Sequence, residues 1–246
     1  IYDDTSPGPT DDLRSKPDLC APGVAIHTTN GTSSFTDESG TSFAAPHVAG
    51  VCALLKEARP SLIPQQIHAI LVTPTDYALL PDNETRQTGW DAQGGFGMLN
   101  AAIAVKCRNR TIDATATNSS FEGVYVIDTV PEGEEVVVTG VWHREMLSES
   151  NVKHDVCCSN PSPANLDLIL QARESGGGWS DVDSTIGTYD DDDDQPEDNV
   201  RQVRAFQAGS EQTQFEFRVK VQHNPTSDTP YTGSQAFSLA SRHAFQ

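Results

Sequence analysis

The chain has 246 residues, enough for one large domain or two ordinary ones. Its 16 Lys and Arg against 35 Asp and Glu give a formal net charge of −19, which repels phosphate backbones and excludes nucleic acid as an expected partner. No apolar run approaches the ~20 residues that a membrane-spanning helix needs, so we expect no membrane partner either.

The first strand-like pattern runs from Leu19 to Thr29, where Pro22-Gly23 separates two short apolar stretches. This pattern predicts a strand, a turn and a second strand. The residues from Asn30 to Gly40 are mainly polar and predict a loop.

A helix is predicted from Ser42, where apolar residues begin to recur at helical spacing. One face of this helix carries Ala45, Val48, Ala49, Cys52 and Leu55. Because so many of the residues are small, we expect a buried helix that packs closely against other elements and ends before Pro60.

Two further helices follow in the sequence. The second begins at Pro64, a favourable first-turn position, and ends at Pro74. The third follows the Gly-rich turn at 94–97 and runs from about Asn100 to Val105.

From about Arg108 helical spacing disappears and alternating patterns take over. The clearest strand has Phe215, Phe217, Val219 and Val221 interleaved with polar residues, which predicts one buried face and one face in water. Similar runs lie at 123–129, 166–172, 200–206 and 236–240, and Val136, Val138 and Trp142 alternate with Val137, Thr139 and His143. Such short strands are typical of an antiparallel sandwich or jelly roll. We therefore predict an α/β domain at 1–107 and an all-β domain at 108–246.

The segment Gly40–Gly50 contains the candidate nucleophile, Ser42. Ser42 stands at a loop-to-helix junction, where unpaired backbone N–H groups and the helix dipole favour a developing negative charge. Gly40 lets a substrate approach the backbone closely, and Pro46 fits the first turn. The alternative is that Ser42 only caps the helix, which is the usual role of a serine in this position.

The sequence from Gly40 to Gly50, Gly-Thr-Ser-Phe-Ala-Ala-Pro-His-Val-Ala-Gly, resembles the nucleophile segment of the subtilisin-like serine proteases, the subtilases. Three flanking segments are also similar to that family: Thr-Ser-Pro-Gly-Pro-Thr at 5–10, Lys-Pro-Asp-Leu-Cys-Ala-Pro-Gly at 16–23 and Gly-Phe-Gly-Met-Leu-Asn-Ala at 95–101. The resemblance covers residues 1–107 and implies the C-terminal part of a subtilisin-like parallel-sheet domain.

The resemblance implies that Ser42 attacks the scissile carbonyl of a protein or peptide substrate, that its backbone N–H belongs to the oxyanion hole, and that Gly40 and Thr41 bind substrate. It implies no cofactor for this chemistry. The family order is Asp, His, Ser, so the other triad residues and the oxyanion-hole Asn are expected upstream of Ile1, which we interpret as an internal cut. This chain alone is therefore expected to be inactive. His47 is no substitute base, because it lies five residues along the same helix and is structural in the family motif.

Parts of the second half resemble the β-sandwich that follows the catalytic domain in some secreted alkaline subtilases. The similar segments are 165–170, 198–200 and 235–239. Such domains are thought to stabilise the enzyme or to help position substrate, and the sequence favours neither role.

The five cysteines match no zinc pattern. Cys20 and Cys52 are expected to be small buried residues, and Cys107 is a candidate for a disulfide with Cys157 or Cys158. Four N-glycosylation triplets, at Asn30, Asn83, Asn109 and Asn118, agree with a secreted chain. We expect it to be a monomer.

An acidic run from Asp190 to Asp194 has two interpretations. Asp190, Asp192 and Asp194 are candidate ligands of a structural calcium ion, which prefers oxygen. A solvated loop is the alternative, since like charges usually stay in water and the EF-hand pattern is absent. The histidines at 143, 154, 223 and 243 form no metal constellation and are expected at the surface.

Two functions of different class follow from the sequence. The first is a serine endopeptidase that acts through Ser42. The second is a catalytically inactive pseudo-protease or secreted binding module that acts through the β-sandwich. An α/β-hydrolase esterase is excluded, because Ala44 replaces the second Gly of Gly-x-Ser-x-Gly and polar residues precede the segment.

Phe43 occupies the position next to the nucleophile where many subtilases have Met. Methionine there is open to sulfoxide formation, which would place a polar oxygen beside the reacting hydroxyl. We therefore expect the complete enzyme to keep its activity in dilute peroxide. Rapid loss of activity, followed by assay against time, would contradict this expectation.

Overall fold

The described part of the chain consists of a hairpin, three helices and two four-stranded sheets. The computed structural model describes residues 5–10, 15–75, 90–117, 120–128, 130–131, 133–142, 166–174, 176–185, 200–206, 215–223 and 235–246. None of the helices described in these ranges is long and apolar enough to cross a membrane.

The hairpin precedes the first helix. Its strands β1 (Ile26–Asn30) and β2 (Ser34–Glu38) are antiparallel, and the rings of His27 and Phe35 stack with their centroids 5.3 Å apart. The loop predicted for this region is therefore wrong over β2. The sequence did not predict this strand, because both faces of the hairpin are largely in solvent and the sequence of β2 therefore has no apolar alternation.

Helix α1 (Thr41–Ala58) ends before Pro60, as its spacing predicts. Its buried residues are Val51 and Leu55, whereas Ala45, Ala49 and Ala53 are exposed. The expected burial of the small-residue face is thus wrong in this structure, because none of the described elements covers that face.

Helices α2 (Pro64–Val72) and α3 (Ala101–Cys107) agree with their predicted positions. Pro64 opens α2, and the side-chain oxygen of Gln66 accepts a hydrogen bond of 3.0 Å from the backbone N–H of Ile63. The side chain of Asn100 caps α3 by accepting from the backbone N–H of Ile103 at 3.1 Å. Both caps satisfy N–H groups that a helix leaves without internal partners.

The eight remaining strands form two antiparallel sheets. The first has the order β3 (Thr111–Ala116), β10 (Gln235–Ser241), β5 (Glu135–Trp142) and β8 (Val200–Phe206). The second has the order β4 (Glu122–Ile127), β9 (Phe215–His223), β6 (Leu166–Glu174) and β7 (Ser180–Ser184). We call residues 111–246 the two-sheet unit. The predicted antiparallel β-rich architecture is confirmed, whereas the parallel sheet predicted within 1–107 is not seen among the described residues.

One apolar core lies between the two sheets. Phe217, Val219 and Val221 of β9 are buried in it and Glu216 is exposed, as the alternation predicts. Strand β5 departs from its predicted alternation, because Val137, Thr139 and Val141 are as buried as Val136 and Val138. The second face of β5 is covered by α2, so that a second core contains residues from the helices and from the sheet.

A buried ion pair links the two sheets. Nη1 of Arg201 on β8 lies 2.7 Å from Oδ1 of Asp167 on β6, and the two side chains are 4% and 0% exposed. Arg201 also donates to the backbone carbonyl of Thr185 at 3.1 Å. Breaking such a pair by removing one partner is strongly destabilising, since it leaves a buried charge uncompensated.

His243 is buried rather than at the surface, which corrects the sequence-based expectation. It is 8% exposed, and its Nε2 donates to the backbone carbonyl of Glu135 at 3.2 Å. Burial lowers the pKa of His243, and Arg110 and Arg242 add to this effect, while the Glu135 carbonyl and the Glu134 carboxylate oppose it. The sequence analysis expected the ring at the surface because its burial depends on β5, which lies more than 100 residues earlier in the chain.

Replacement of His243 by Gln should reduce the acid sensitivity of the fold. The unfolded chain binds a proton at His243 near pH 6.5, whereas the folded chain does so only at a lower pH. This residue therefore makes the free energy of unfolding fall with decreasing pH, by at most about 1.4 kcal/mol per pH unit. Denaturant unfolding at pH 7.5, 6.5 and 5.5 should give a shallower slope for His243→Gln, whose amide can still donate to Glu135. Identical slopes would refute this assignment.

Candidate functional site

The candidate site lies at the start of α1. Ser42 is the second residue of the helix, and both Ser42 and Thr41 are exposed. Gly40 precedes them with φ 154° and ψ 159°, a conformation that side-chain-bearing residues rarely adopt. In the first helical turn the backbone N–H of Phe43 donates to the Gly40 carbonyl. Helix geometry leaves the N–H groups of Thr41 and Ser42 without intrahelical carbonyl partners and points them toward this end. The structure therefore brings the three predicted residues together on an accessible helix start, where the dipole favours negative charge.

Gly23 holds the loop that leads to Ser42. Its carbonyl accepts a hydrogen bond of 2.8 Å from the backbone N–H of Gly40, whose own carbonyl accepts from Phe43 at 3.0 Å. A Cβ atom added at Gly23 would lie 2.9 Å from the Gly40 carbonyl oxygen and 3.1 Å from Cβ of Ala44. The Lys16–Gly23 segment and the nucleophile segment, similar to the same family in sequence, are thus in direct contact.

His47 is bonded to its own helix. Its Nδ1 lies 2.8 Å from the carbonyl oxygen of Phe43, so Nδ1 carries the hydrogen and donates it. Among the described residues no hydrogen bond joins the hydroxyl of Ser42 to a histidine. Pro46 is the sixth residue of α1 rather than a first-turn residue, because the helix begins at Thr41. It therefore cannot donate the usual i→i−4 bond to the carbonyl of Ser42.

Two acid–histidine contacts near this site were not foreseen from the sequence. On the exposed hairpin, Nδ1 of His27 lies 2.8 Å from Oδ1 of Asp37. In the segment that precedes Gly23, Asp18 contacts Nζ of Lys16 at 2.6 Å and Nε2 of His68 on α2 at 3.1 Å. Burial opposes ionisation of Asp18, but the hydrogen bond and charge of His68, together with Lys16, lower its pKa below 3.8. No periodicity signals such pairs, because the partners are ten and fifty residues apart.

The other candidate residues are not gathered at this site. Asp190, Asp192 and Asp194 lie outside the described residues, and the described ranges hold no group of three or more potential metal ligands. Cys107 is a buried free thiol whose pKa is raised by burial, and its two predicted disulfide partners are not described. Cys20 and Cys52 are half-buried rather than buried. Asn30 and Asn109 are exposed.

Comparisons with known proteins show sequence similarity to proteases in the part of the chain that contains this site. Residues 1–97 match the Subtilase family. The subtilisin-like protease SBT3 of Solanum lycopersicum is 32% identical over 166 residues, which is 60% of this chain and 20% of the relative. The PII-type proteinase of Lactococcus lactis subsp. cremoris is 50% identical over 58 residues, which is 24% of this chain and 3% of the relative.

A serine at an exposed helix start, after a glycine-dependent loop, is placed where a nucleophile of a serine peptidase could act. The sequence matches give the similarity in more detail: residues 1–97 match the model of the Subtilase family, and 166 residues are similar to a plant subtilisin-like protease. Its match spans about a fifth of the plant relative.

A solved structure, that of the Yersinia pseudotuberculosis-derived mitogen, matches 53% of this chain and 81% of its own chain at 16% identity. Its TM-score of 0.30 is too low to support any argument about this fold.

Gly23→Ala should disturb the site through the backbone. The added methyl group must displace the Gly40 carbonyl or Ala44, and overpacking of this kind costs about 1–3 kcal/mol. The control is Gly178→Ala, because a Cβ there meets nothing within 4 Å and should change stability by less than about 0.5 kcal/mol. Denaturant unfolding compares the two variants. Equal stabilities would show that the Gly23–Gly40 contact is not tight.

Proposed function

We propose that the protein is a serine endopeptidase that hydrolyses peptide bonds through an acyl-enzyme on Ser42. The observation that carries this proposal is the placement of Ser42 at an accessible helix start, behind a glycine whose backbone conformation favours glycine. The subtilase match of residues 1–97 supports the same chemistry.

In the proposed reaction, Oγ of Ser42 attacks the carbonyl carbon of the scissile peptide bond while its proton passes to a histidine. The carbonyl oxygen becomes an oxyanion, which the backbone N–H of Ser42 and the positive end of α1 stabilise. Collapse of this intermediate expels the amine, which takes the proton from the histidine, and leaves the acyl-enzyme. Water then attacks the ester by the reverse sequence of proton transfers, releases the acid and restores Ser42.

The histidine, its aspartate partner and the amide of the oxyanion-hole Asn are proposed to come from sequence upstream of Ile1, in the order that subtilases have. Gly40 and Thr41 are proposed to line the substrate-binding edge, where an extended peptide can approach the backbone. By this proposal the described chain alone is inactive, because a serine hydroxyl without its base is not activated.

The same upstream sequence is proposed to complete a parallel α/β sheet over the exposed face of α1. Ala45, Ala49 and Ala53 on that face are small enough for close packing. The two-sheet unit is proposed to be a β-sandwich appended to this domain, in a secreted, monomeric protease that acts on proteins or peptides. Any calcium is proposed to be structural rather than catalytic.

Labelling of the full-length protein with a fluorophosphonate probe, followed by peptide mapping, tests the proposal. The adduct should form on Ser42 in the folded protein and disappear after heat denaturation, because only an intact triad activates the hydroxyl. Ser42→Ala should abolish labelling. Ser34→Ala is the control, since Ser34 is an exposed hairpin serine whose hydroxyl donates to the Asn30 carbonyl; it should label normally. Absence of adduct on folded, propeptide-free protein would overturn the proposal and favour the binding module.

A further inference from the structure

Arg204 is a buried cation that reaches from the two-sheet unit into the subtilase-like part. It lies on β8 and is 6% exposed. Its Nη2 lies 3.3 Å from the carbonyl oxygen of Thr75, 3.2 Å from Oγ1 of Thr75 and 3.3 Å from the carbonyl oxygen of Phe96. Its Nε donates to the side-chain oxygen of Gln202 at 2.6 Å. One guanidinium therefore binds both the turn after α2 and the Gly94–Gly97 turn.

The acceptors of Arg204 are held by further contacts. Oγ1 of Thr75 lies 2.6 Å from the Phe96 carbonyl, so the two turns are also bonded to each other. Arg242 donates to the Thr75 carbonyl at 3.1 Å. Glu135 balances both cations, with an oxygen 2.9 Å from Arg242 and another 3.6 Å from Arg204. Because these groups are largely buried, added salt screens their interaction weakly.

Backbone hydrogen bonds, joined by one short stretch of covalent chain at residues 20–23, lead from Phe96 toward Ser42. The Phe96 N–H donates to the carbonyl of Asp18 at 2.8 Å, and the Gly97 carbonyl accepts from Cys20 at 3.0 Å. The Cys20 carbonyl in turn accepts from Leu99 at 2.8 Å. These bonds fix residues 18–20, which continue directly into Gly23.

Gly23 then fixes Gly40 through the 2.8 Å bond described above, two residues before Ser42. The position of Phe96 thus determines where the nucleophile loop sits. Arg204 binds Phe96 through its carbonyl, while Asp18 binds it through its N–H.

We propose that Arg204 is a positioning residue for Ser42, through which the two-sheet unit holds the nucleophile loop in register. This inference rests on the proposed peptidase function. It assigns the two-sheet unit a specific role in the reaction, in addition to its contribution to stability. Displacement of a nucleophile by about 1 Å can reduce a reaction rate by about a hundredfold. A small shift of Ser42, caused by weakening these hydrogen bonds, should therefore give a measurable loss of rate.

Arg201 provides a matched control on the same strand. Both arginines are buried on β8, at 4% and 6% exposure, and both have a carboxylate partner. The described contacts of Arg201 lie within the two-sheet unit, with Asp167 and Thr185. A lysine at either position keeps the charge but loses the planar fork of donors. The effect of Arg201→Lys therefore measures general destabilisation of the fold. The effect of Arg204→Lys contains the same destabilisation and, in addition, the loss of the hydrogen bond to Phe96.

The experiment measures the rate of fluorophosphonate labelling at Ser42, and kcat and KM for a peptide substrate, in the full-length protein. Each variant is assayed at the same interval below its own melting temperature. Arg204→Lys should lower the labelling rate and kcat by about tenfold, with KM changed less than twofold. Arg201→Lys should stay within twofold of the wild type. Thr75→Val, which removes the hydroxyl that bonds Phe96 while conserving volume, should lower the labelling rate as Arg204→Lys does.

Hydrogen exchange gives a readout that does not depend on catalysis. Arg204→Lys should increase exchange at the amides of Phe96, Cys20 and Gly40, whereas Arg201→Lys should not. If the wild type labels at Ser42 and the two lysine variants have equal labelling rates and equal exchange, the inference is wrong and the proposed function stands. If the wild type does not label, the proposed function fails, and the exchange comparison alone decides whether Arg204 fixes the loop.

Discussion

The carbonyl groups at the end of α2 are the constraint on which the rest of the described structure depends. A helix leaves its last carbonyls without internal donors, and here they end inside the protein, where water cannot replace those donors. The N–H and hydroxyl of Thr75 supply part of them at the Val72 carbonyl. The two-sheet unit supplies the rest: Gln202 donates to the Val72 carbonyl at 3.1 Å, and Arg204 and Arg242 donate to the carbonyl of Thr75, just beyond the helix. Cationic donors also suit the negative end of the helix dipole.

This constraint explains why α2 and α1 differ so much in burial. The hydrogen bonds to the carbonyls at the end of α2 hold the helix against β5 and β10. This packing buries Ala69, Ile70 and Val72 in the core that the helices share with the sheet. Helix α1 has no comparable contact with the sheets and keeps Ala45 and Ala49 exposed. The exposed helix carries the candidate nucleophile, and the buried helix anchors the segments that support it.

Sequence analysis recovered the features that depend on neighbours along the chain. The approximate positions of all three helices follow from apolar spacing, from Pro64 and from the Gly-rich turn at 94–97, and strand β9 follows from strict alternation at Phe217, Val219 and Val221. The two arginines of β8 were not recognised as functional from the sequence. Arginines in a strand are ordinarily expected in solvent, and Arg201 and Arg204 lie on opposite faces of β8. Only their partners at Asp167, Thr75 and Phe96 give them roles.

The sequence by itself showed the resemblance of the first part of the chain to the subtilases and named Ser42 as the candidate nucleophile, because a long contiguous motif needs no tertiary information. It also determined which segments are helices and strands wherever burial on one face imposes a period. The tertiary structure alone decided that β5 is buried on both faces and that His243 lies inside the protein. It also decided that Arg204 of the two-sheet unit contacts Thr75 and Phe96. These features depend on contacts between residues that are distant in the chain, and no local spacing encodes which distant carbonyl a buried cation will bind.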